Sequence, residues 1–268
     1  MYTSASMKKT IIVSVEGNIG SGKSTLTRYL QEKYMDDYIK NGGMYKTDAD
    51  KTLSPMPNIV FLQEPVDAWS RICDDKGITI LEHFYQDQEK YAFAFQMMAY
   101  ISRLNLLKTT IEEHPGAIIV TERSLYTDKH VFMRMLNDGK QINAIERAIY
   151  EEWFDSFTDG FKLDGVVYVS ATPEKCKDRV ENRSRDGENT ISLDYLHKCH
   201  DYHEDMLKEE NRVTYIKPKD NACRTILTLD GNQTFSEVCD IWCQDVFSYI
   251  YSITREAESP VSVLATNK

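Results

Sequence analysis

The 268-residue sequence predicts a three-layer α/β/α fold, with a five-stranded parallel sheet, helices on both of its faces, and an arginine-rich lid. Three observations predict it. Short runs rich in β-branched residues alternate with longer helical patterns, the order that a parallel sheet covered on both faces imposes. The first run stops at a glycine-rich turn, Gly17-Asn18-Ile19-Gly20-Ser21-Gly22-Lys23-Ser24, which leads straight into a helical pattern. Three arginines (Arg179, Arg183 and Arg185) fall within seven residues beside a charged loop, in a chain whose acidic residues outnumber its basic ones 42 to 32.

The elements follow in order. Residues 1–8 are polar and read as a flexible tail. TIIVSVE (10–16) reads as a buried parallel strand. Ser24 opens a helix with Leu26, Tyr29, Leu30 and Tyr34 at helical spacing. Residues 36–57 are polar and hold Gly42-Gly43, Pro55 and Pro57, which marks a surface insertion. NIVFLQE (58–64) is a second strand, stopped by Pro65. One long helix is expected over about 80–113, apolar on most sides through YAFAFQMMAYISRLNLL and therefore largely buried. GAIIVTE (116–122) is a third strand, followed by helical patterns near 126–137 and 142–158. DGVVYVSA (164–171) is a fourth, and Pro173 begins the next helix, a favoured place for proline. RSRDGENT (183–190) is a charged loop, a helix runs over about 192–212, TILTLD (225–230) is a fifth strand, and a last helix spans 234–252. No linker or repeat interrupts the pattern. Residues 9–252 therefore read as one domain, with a second flexible tail at 253–268.

The net charge of -10 argues against a nucleic-acid partner, because phosphate backbones recruit an excess of Lys and Arg. Any phosphate site is therefore expected to be local. The six cysteines are scattered without a CxxC pair, which predicts reduced thiols inside a cell rather than disulfides or zinc. The start MYTSASMKKT has neither an apolar signal core nor an arginine-rich amphipathic pattern, so the cytoplasm is the expected location. No apolar stretch reaches the length of a bilayer span, and no membrane partner is expected.

The glycine-rich turn fits GxxxxGK[ST], in the strand-to-helix context that this phosphate-binding P-loop needs. Its glycines let successive backbone N–H groups face phosphate oxygens, and the following helix adds the positive end of its dipole. Residues Gly17 to Thr25 are thus candidates for holding ATP, with Lys23 reaching the β- and γ-phosphates and the Ser24 hydroxyl binding Mg²⁺.

A cradle alone does not separate kinases from hydrolases. Other groups do. Glu64 ends the second strand, where open parallel sheets bind ligands, and a carboxylate there can accept a proton from an attacking hydroxyl. Glu122 ends the third strand and suits Mg²⁺, while Arg123 beside it suits charge on a transferring phosphoryl group. Arg179, Arg183 and Arg185 on a closing lid would stabilise the peripheral oxygens and exclude water, which would otherwise hydrolyse ATP.

With these residues in view, the chain resembles the deoxyribonucleoside kinases of the deoxycytidine, deoxyguanosine and deoxyadenosine type. The pieces are EGNIGSGKST (16–25), EPVDAW (64–69), FYQD (84–87), FAFQMMAYISR (93–103), ERSLYTD (122–128), VSATPEKC (169–176), RSRDGE (183–188) and TLDGNQTF (228–235), in family order from about Ile11 to Phe247. The resemblance implies transfer of the ATP γ-phosphate to the 5′-hydroxyl of a deoxyribonucleoside, in nucleotide salvage, by a homodimer. It implies Glu64 as general base with Arg123 as its partner. Tyr85 and Glu188 would hold the sugar 3′-hydroxyl, Gln96 would read the base, and Trp69, Phe95 and Phe132 would wall it. An Arg at 103 and an Asp at 128 imply deoxycytidine or purine deoxynucleosides over thymidine. Arg103 lies seven residues after Gln96, on the same helical face.

Two departures stand out. The stretch from Ser24 to Glu64 is longer than the family's usual connection, and Gly187 precedes Glu188 where relatives often carry a bulkier residue. A nucleoside monophosphate kinase of the thymidylate kinase type is the nearest alternative. It would need an arginine where Gln63 stands and glycines where Val66-Asp67 stand. A non-catalytic subunit of the same fold would be expected to lose Lys23, Glu64 or Arg123, and all three are present.

Overall fold

Alternation along the first strand, β1 (Ile11–Glu16), sets the layers. Ile11, Val13 and Val15 face one apolar cluster, while Ile12 faces the other. The computed structural model describes residues 9–46, 53–183, 190–217 and 225–257, and shows five parallel strands in the order β4-β5-β1-β6-β7. Here β4 is Ile59–Leu62, β5 Ile118–Glu122, β6 Gly165–Ser170 and β7 Ile226–Asp230. β2 (Met44–Lys46) and β3 (Leu53–Pro55) form a separate antiparallel pair.

Helix α1 (Lys23–Lys40) buries Leu26, Leu30 and Tyr34 on one face of the sheet, beside Trp242, Val246 and Ile250 of α11 (Phe235–Ala257). Leu26 and Leu30 are 0% exposed, and each such side chain contributes roughly 1.5–3 kcal/mol when fully buried. The opposite cluster is built from α2 (Val66–Ser70), α3 (Ile80–Gln86), α4 (Gln88–Glu113), α5 (Leu125–Thr127), α6 (Arg134–Asp138) and α7 (Ala144–Thr158). α8 (Pro173–Arg183) and α9 (Leu193–Met206) close a third, smaller cluster against the glycine-rich turn, and α10 (Glu209–Arg212) is a single turn.

The five expected strands are present, each trimmed by one to three residues. Several helix boundaries differ for local reasons. The stretch 80–113 is two helices, because Asp87 at φ -148° ends α3 and caps α4 by accepting from the Lys90 N–H at 3.2 Å. The pattern at 126–137 contains a π-helical segment, Asp128–Met133, whose i→i+5 bonds insert an extra residue per turn. The helix expected to reach 212 stops at Met206, with α10 following Lys208. The insertion at 36–57 begins inside α1 and then forms the β2–β3 pair. The last helix continues to Ala257, and Ile253 is buried at 2% exposure, so the expected tail starts too early. No helix among the described residues is long and apolar enough to cross a membrane.

Candidate active site

Register brings the site together. β1 and β5 pair with Val15 opposite Glu122, and β4 and β5 pair with Leu62 opposite Thr121. The carboxyl ends of three neighbouring strands therefore coincide, which is where open α/β sheets bind ligands. A crevice of about 1150 Å³ opens there, and both Lys23 and Glu64 line it.

On one side stands the glycine-rich turn. Ile19, Gly20, Ser21, Gly22, Lys23, Ser24 and Thr25 line the crevice. Gly17 and Asn18 lie behind them: a Cβ on Gly17 (φ 141°) would fall 2.5 Å from the Val169 carbonyl oxygen, and Asn18 donates through Nδ2 to the Leu196 carbonyl of α9 at 2.8 Å. Lys23 is 4% exposed, and its Nζ donates to the Asn18 carbonyl at 2.6 Å. Burial, then the Arg123 charge, bring the lysine down to about 7. A group so placed gains its proton most readily when an anion arrives. The Ser24 hydroxyl donates to Glu122 Oε1 at 2.5 Å, so the two residues expected at Mg²⁺ are adjacent.

On the other side, two arginines hold Glu64. Arg103 Nη2 donates to Glu64 Oε1 at 3.0 Å, and Arg123 Nε lies 3.3 Å from the same oxygen. Burial opposes ionisation of Glu64, yet Arg123, Arg103 and Lys23 outweigh it and hold the carboxyl below its usual value. Arg103 also donates through Nε to Asp128 Oδ2 at 3.0 Å and through Nη1 to the Glu122 carbonyl at 3.0 Å. The expected Arg103–Asp128 pair is thus present, and it reaches further than the sequence implied, because the same guanidinium braces Glu64. Burial pushes the Asp128 carboxyl up against the pull of Arg103.

Between these groups lies a pocket lined by Trp69, Tyr85, Phe95, Gln96, Arg103, Asp128 and Phe132, all expected from the sequence. Phe95 stacks on Phe84 with centroids 4.6 Å apart and meets Trp69 edge-on at 5.5 Å. Trp69 is anchored by its indole N–H donating to Ser102 Oγ at 2.9 Å. Gln96 is 2% exposed, and its Oε1 has no hydrogen-bond partner among the described residues. The π-helical segment carries Asp128 at its first position and Phe132 at its fifth, so the extra residue in the turn helps aim both inward.

Of the lid arginines, Arg179 donates to the Ser21 carbonyl at 2.9 Å and to the Gln233 carbonyl at 3.2 Å, and Arg183 lines the crevice. Arg185 and Glu188 lie outside the described residues. Sequence reading missed Arg28, Phe84, Lys175, Tyr195 and Trp242, which also line the crevice. Tyr195 meets Tyr85 edge-on at 6.4 Å, and its position one turn after the charged loop was the available signal.

The chain matches a family model described as deoxynucleoside kinase over residues 41–242. The chain belongs to the deoxynucleoside kinase family. It is 33% identical to a protein of fowlpox virus named as a probable deoxycytidine kinase, over 83% of this chain and 80% of that one. It is 32% identical to deoxycytidine kinase 2 of Gallus gallus, over 83% of each chain. It is 30% identical to the mitochondrial deoxyguanosine kinase of Xenopus laevis, over 77% of each chain. The protein is a nucleoside-phosphorylating, ATP-dependent enzyme, and the resemblance drawn from its motifs is correct at the level of the family.

Proposed function

We propose that this deoxynucleoside kinase transfers the γ-phosphate of ATP to the 5′-hydroxyl of deoxycytidine, deoxyadenosine or deoxyguanosine in preference to thymidine. The observation that carries the base preference is the buried Arg103–Asp128 pair beside the unpartnered Gln96 carbonyl. Leaving a buried acceptor unmade costs about 1–3 kcal/mol, so the pocket favours a base that donates to Gln96 through an amino group or a ring N–H. Thymine can donate to Gln96 through its N3–H, but it has no exocyclic amino group to donate to the Asp128 carboxylate. Relatives named deoxycytidine and deoxyguanosine kinases support the same reading.

In this reading Glu64 accepts the proton of the 5′-hydroxyl. Both arginines engage its Oε1, which leaves Oε2 for the acceptor. Its depressed pKa keeps it ionised at neutral pH, and a loose transition state asks for proton acceptance only late in the transfer. Arg123 holds the acceptor oxygen and the arriving phosphoryl group, Lys23 holds the β- and γ-phosphates, and Arg179, Arg183 and Arg185 cover the departing end. Tyr85 and Glu188 take the sugar 3′-hydroxyl, and Trp69, Phe95 and Phe132 pack the base. Ser24 and Glu122 offer two adjacent hard oxygens, the donor type Mg²⁺ takes alongside phosphate and water. When bound there, the ion would neutralise charge between the β- and γ-phosphates.

The kinase is proposed to be a homodimer. Ile145, Ile149, Trp153 and Phe157 form an i,i+4 apolar stripe along α7, exposed at 73%, 40%, 47% and 54%. Ile101 of the neighbouring α4 is 51% exposed. An apolar surface of that extent marks an interaction site. A reducing compartment such as the cytosol suits the unpaired buried thiols of Cys176, Cys199 and Cys243.

A rate panel of the four deoxynucleosides and adenosine, with ATP and Mg²⁺, tests the proposal. Deoxycytidine and the purine deoxynucleosides should exceed thymidine in kcat/KM by about tenfold or more, the scale of a hydrogen-bonding mismatch. Thymidine as the best substrate would overturn the base assignment. Faster turnover of a nucleoside monophosphate would overturn the acceptor class.

A further inference from the structure

Arg123 sits in a backbone conformation it does not favour. Its φ of 63° is left-handed, a region that non-glycine residues occupy only where the surroundings hold them. Its guanidinium is held on the crevice side by Glu64 and by the ring of Phe132, whose centroid lies 4.9 Å from the guanidinium carbon. Behind it, Nη1 donates to the Gly17 carbonyl at 3.0 Å and lies 3.3 Å from His203 Nε2.

His203 is 0% exposed and belongs to α9. Its Nδ1 lies 2.6 Å from the carbonyl of Cys199, one turn back on the same helix. A carbonyl oxygen can only accept, so Nδ1 carries the ring proton and Nε2 presents a lone pair, which faces Arg123. Burial, then the Arg123 charge, hold the imidazole well below its usual pKa, so it is neutral. The same helix receives the Asn18 side chain at Leu196, so α9 braces the phosphate cradle and the arginine together.

We propose that His203 is a positioning residue for phosphoryl transfer: Cys199 fixes its ring through Nδ1–H, and its Nε2 lone pair holds Arg123 aimed at Glu64 and the transferring group. The inference rests on the role given to Arg123 above. A buried histidine bonded back to its own helix can also be purely structural, and two amide substitutions separate the roles. Glutamine places its amide near the Nε2 position and can still accept from Arg123. Asparagine places its amide near the Nδ1 position and can still donate to Cys199.

The experiment compares His203→Gln, His203→Asn, Arg123→Ala and the Asn/Ala double variant in the full-length kinase, recording kcat, both KM values and Tm. The expected result is a fall in kcat on the order of 10² for His203→Asn, the cost of misplacing a reacting-site group by about 1 Å, with KM values little changed. His203→Gln should stay near wild type, and the double variant should be no worse than Arg123→Ala alone. Wild-type kcat in His203→Asn, or equal losses in both amides that track Tm, would overturn the inference. If Arg123→Ala itself keeps wild-type activity, the role of Arg123 fails first. Should the variants not fold, the ring tautomer of the wild-type protein decides by ¹⁵N–¹H NMR: an Nε2–H tautomer would point a proton at a guanidinium and contradict the proposal.

Discussion

The phosphate cradle and the acceptor pocket share one crevice but are built by different means. The cradle comes from consecutive residues, Gly17 to Thr25, and works through backbone N–H groups and one lysine. The acceptor side gathers Glu64, Gln96, Arg103, Arg123 and Asp128 from the end of β4, from α4, from the end of β5 and from a π-helical segment. The first depends on main-chain shape, so the change it tolerates least is an added Cβ: on Gly20 it would lie 2.5 Å from the Cys176 carbonyl oxygen. The second depends on charge balance, with two arginines shared by Glu64 and Asp128. A side-chain site of this kind can change its substrate by exchanging residues, while the cradle keeps the donor fixed.

The contrast can be broken most severely at Glu64. Glu64→Gln should lower kcat by a factor on the order of 10²–10⁴, the usual worth of a general base, with ATP affinity nearly unchanged. Steady-state kinetics together with a nucleotide titration check this, and a parallel loss of ATP binding would show that the two sides are not separable. At the next scale, Arg103→Leu with Asp128→Leu should move the thymidine-to-deoxycytidine ratio of kcat/KM toward thymidine by on the order of 10–10². Overall rates should fall as well, because Arg103 also braces Glu64. Replacing only one partner is expected to unfold rather than respecify, since an uncompensated buried charge costs about 3–5 kcal/mol.

A smaller effect belongs to the cradle. Lys23 sits at about 7 without nucleotide, and nearby phosphate charge favours its ammonium form. Above that pH, ATP binding should take up close to one proton and weaken as pH rises, by at most about tenfold per unit. Calorimetry in buffers of different ionisation enthalpy reads the uptake, which should vanish in Lys23→Met. The smallest expected effect on chemistry lies outside both ends. Trp153→Glu with Phe157→Glu should convert a dimer to a monomer in analytical ultracentrifugation while kcat changes by less than about threefold, as expected for surface residues outside the crevice.

The same contrast explains what the sequence made legible. A contiguous motif between a strand and a helix declares itself by spacing, and the five strands follow from their β-branched runs. Glu64 and Glu122 could be read as strand-end carboxylates. Gln96, an amide set between Phe95 and Met97, could be read as a buried polar group in want of partners, but Arg103 and Asp128 came into view only through family resemblance, because nothing local in the sequence says that a helix and a later turn will meet. The Arg103–Glu64 bond was missed for that reason. His203 was hidden differently: three histidines within seven residues, His197, His200 and His203, look alike in the sequence, and only the fold turns one of them toward Arg123. The π-helical segment has no periodicity of its own to read, since its six residues continue the helical pattern on either side.

The account turns on donor and acceptor occupying one crevice between Lys23 and Glu64. The most direct measurement is the binding of a bisubstrate compound in which a chain of phosphates joins adenosine to the 5′-oxygen of deoxycytidine. It should bind once per chain, compete with both ATP and deoxycytidine, and exceed either in affinity by roughly 10²-fold or more through linkage. Competition with only one of the two substrates, or an affinity no better than ATP alone, would contradict a shared crevice.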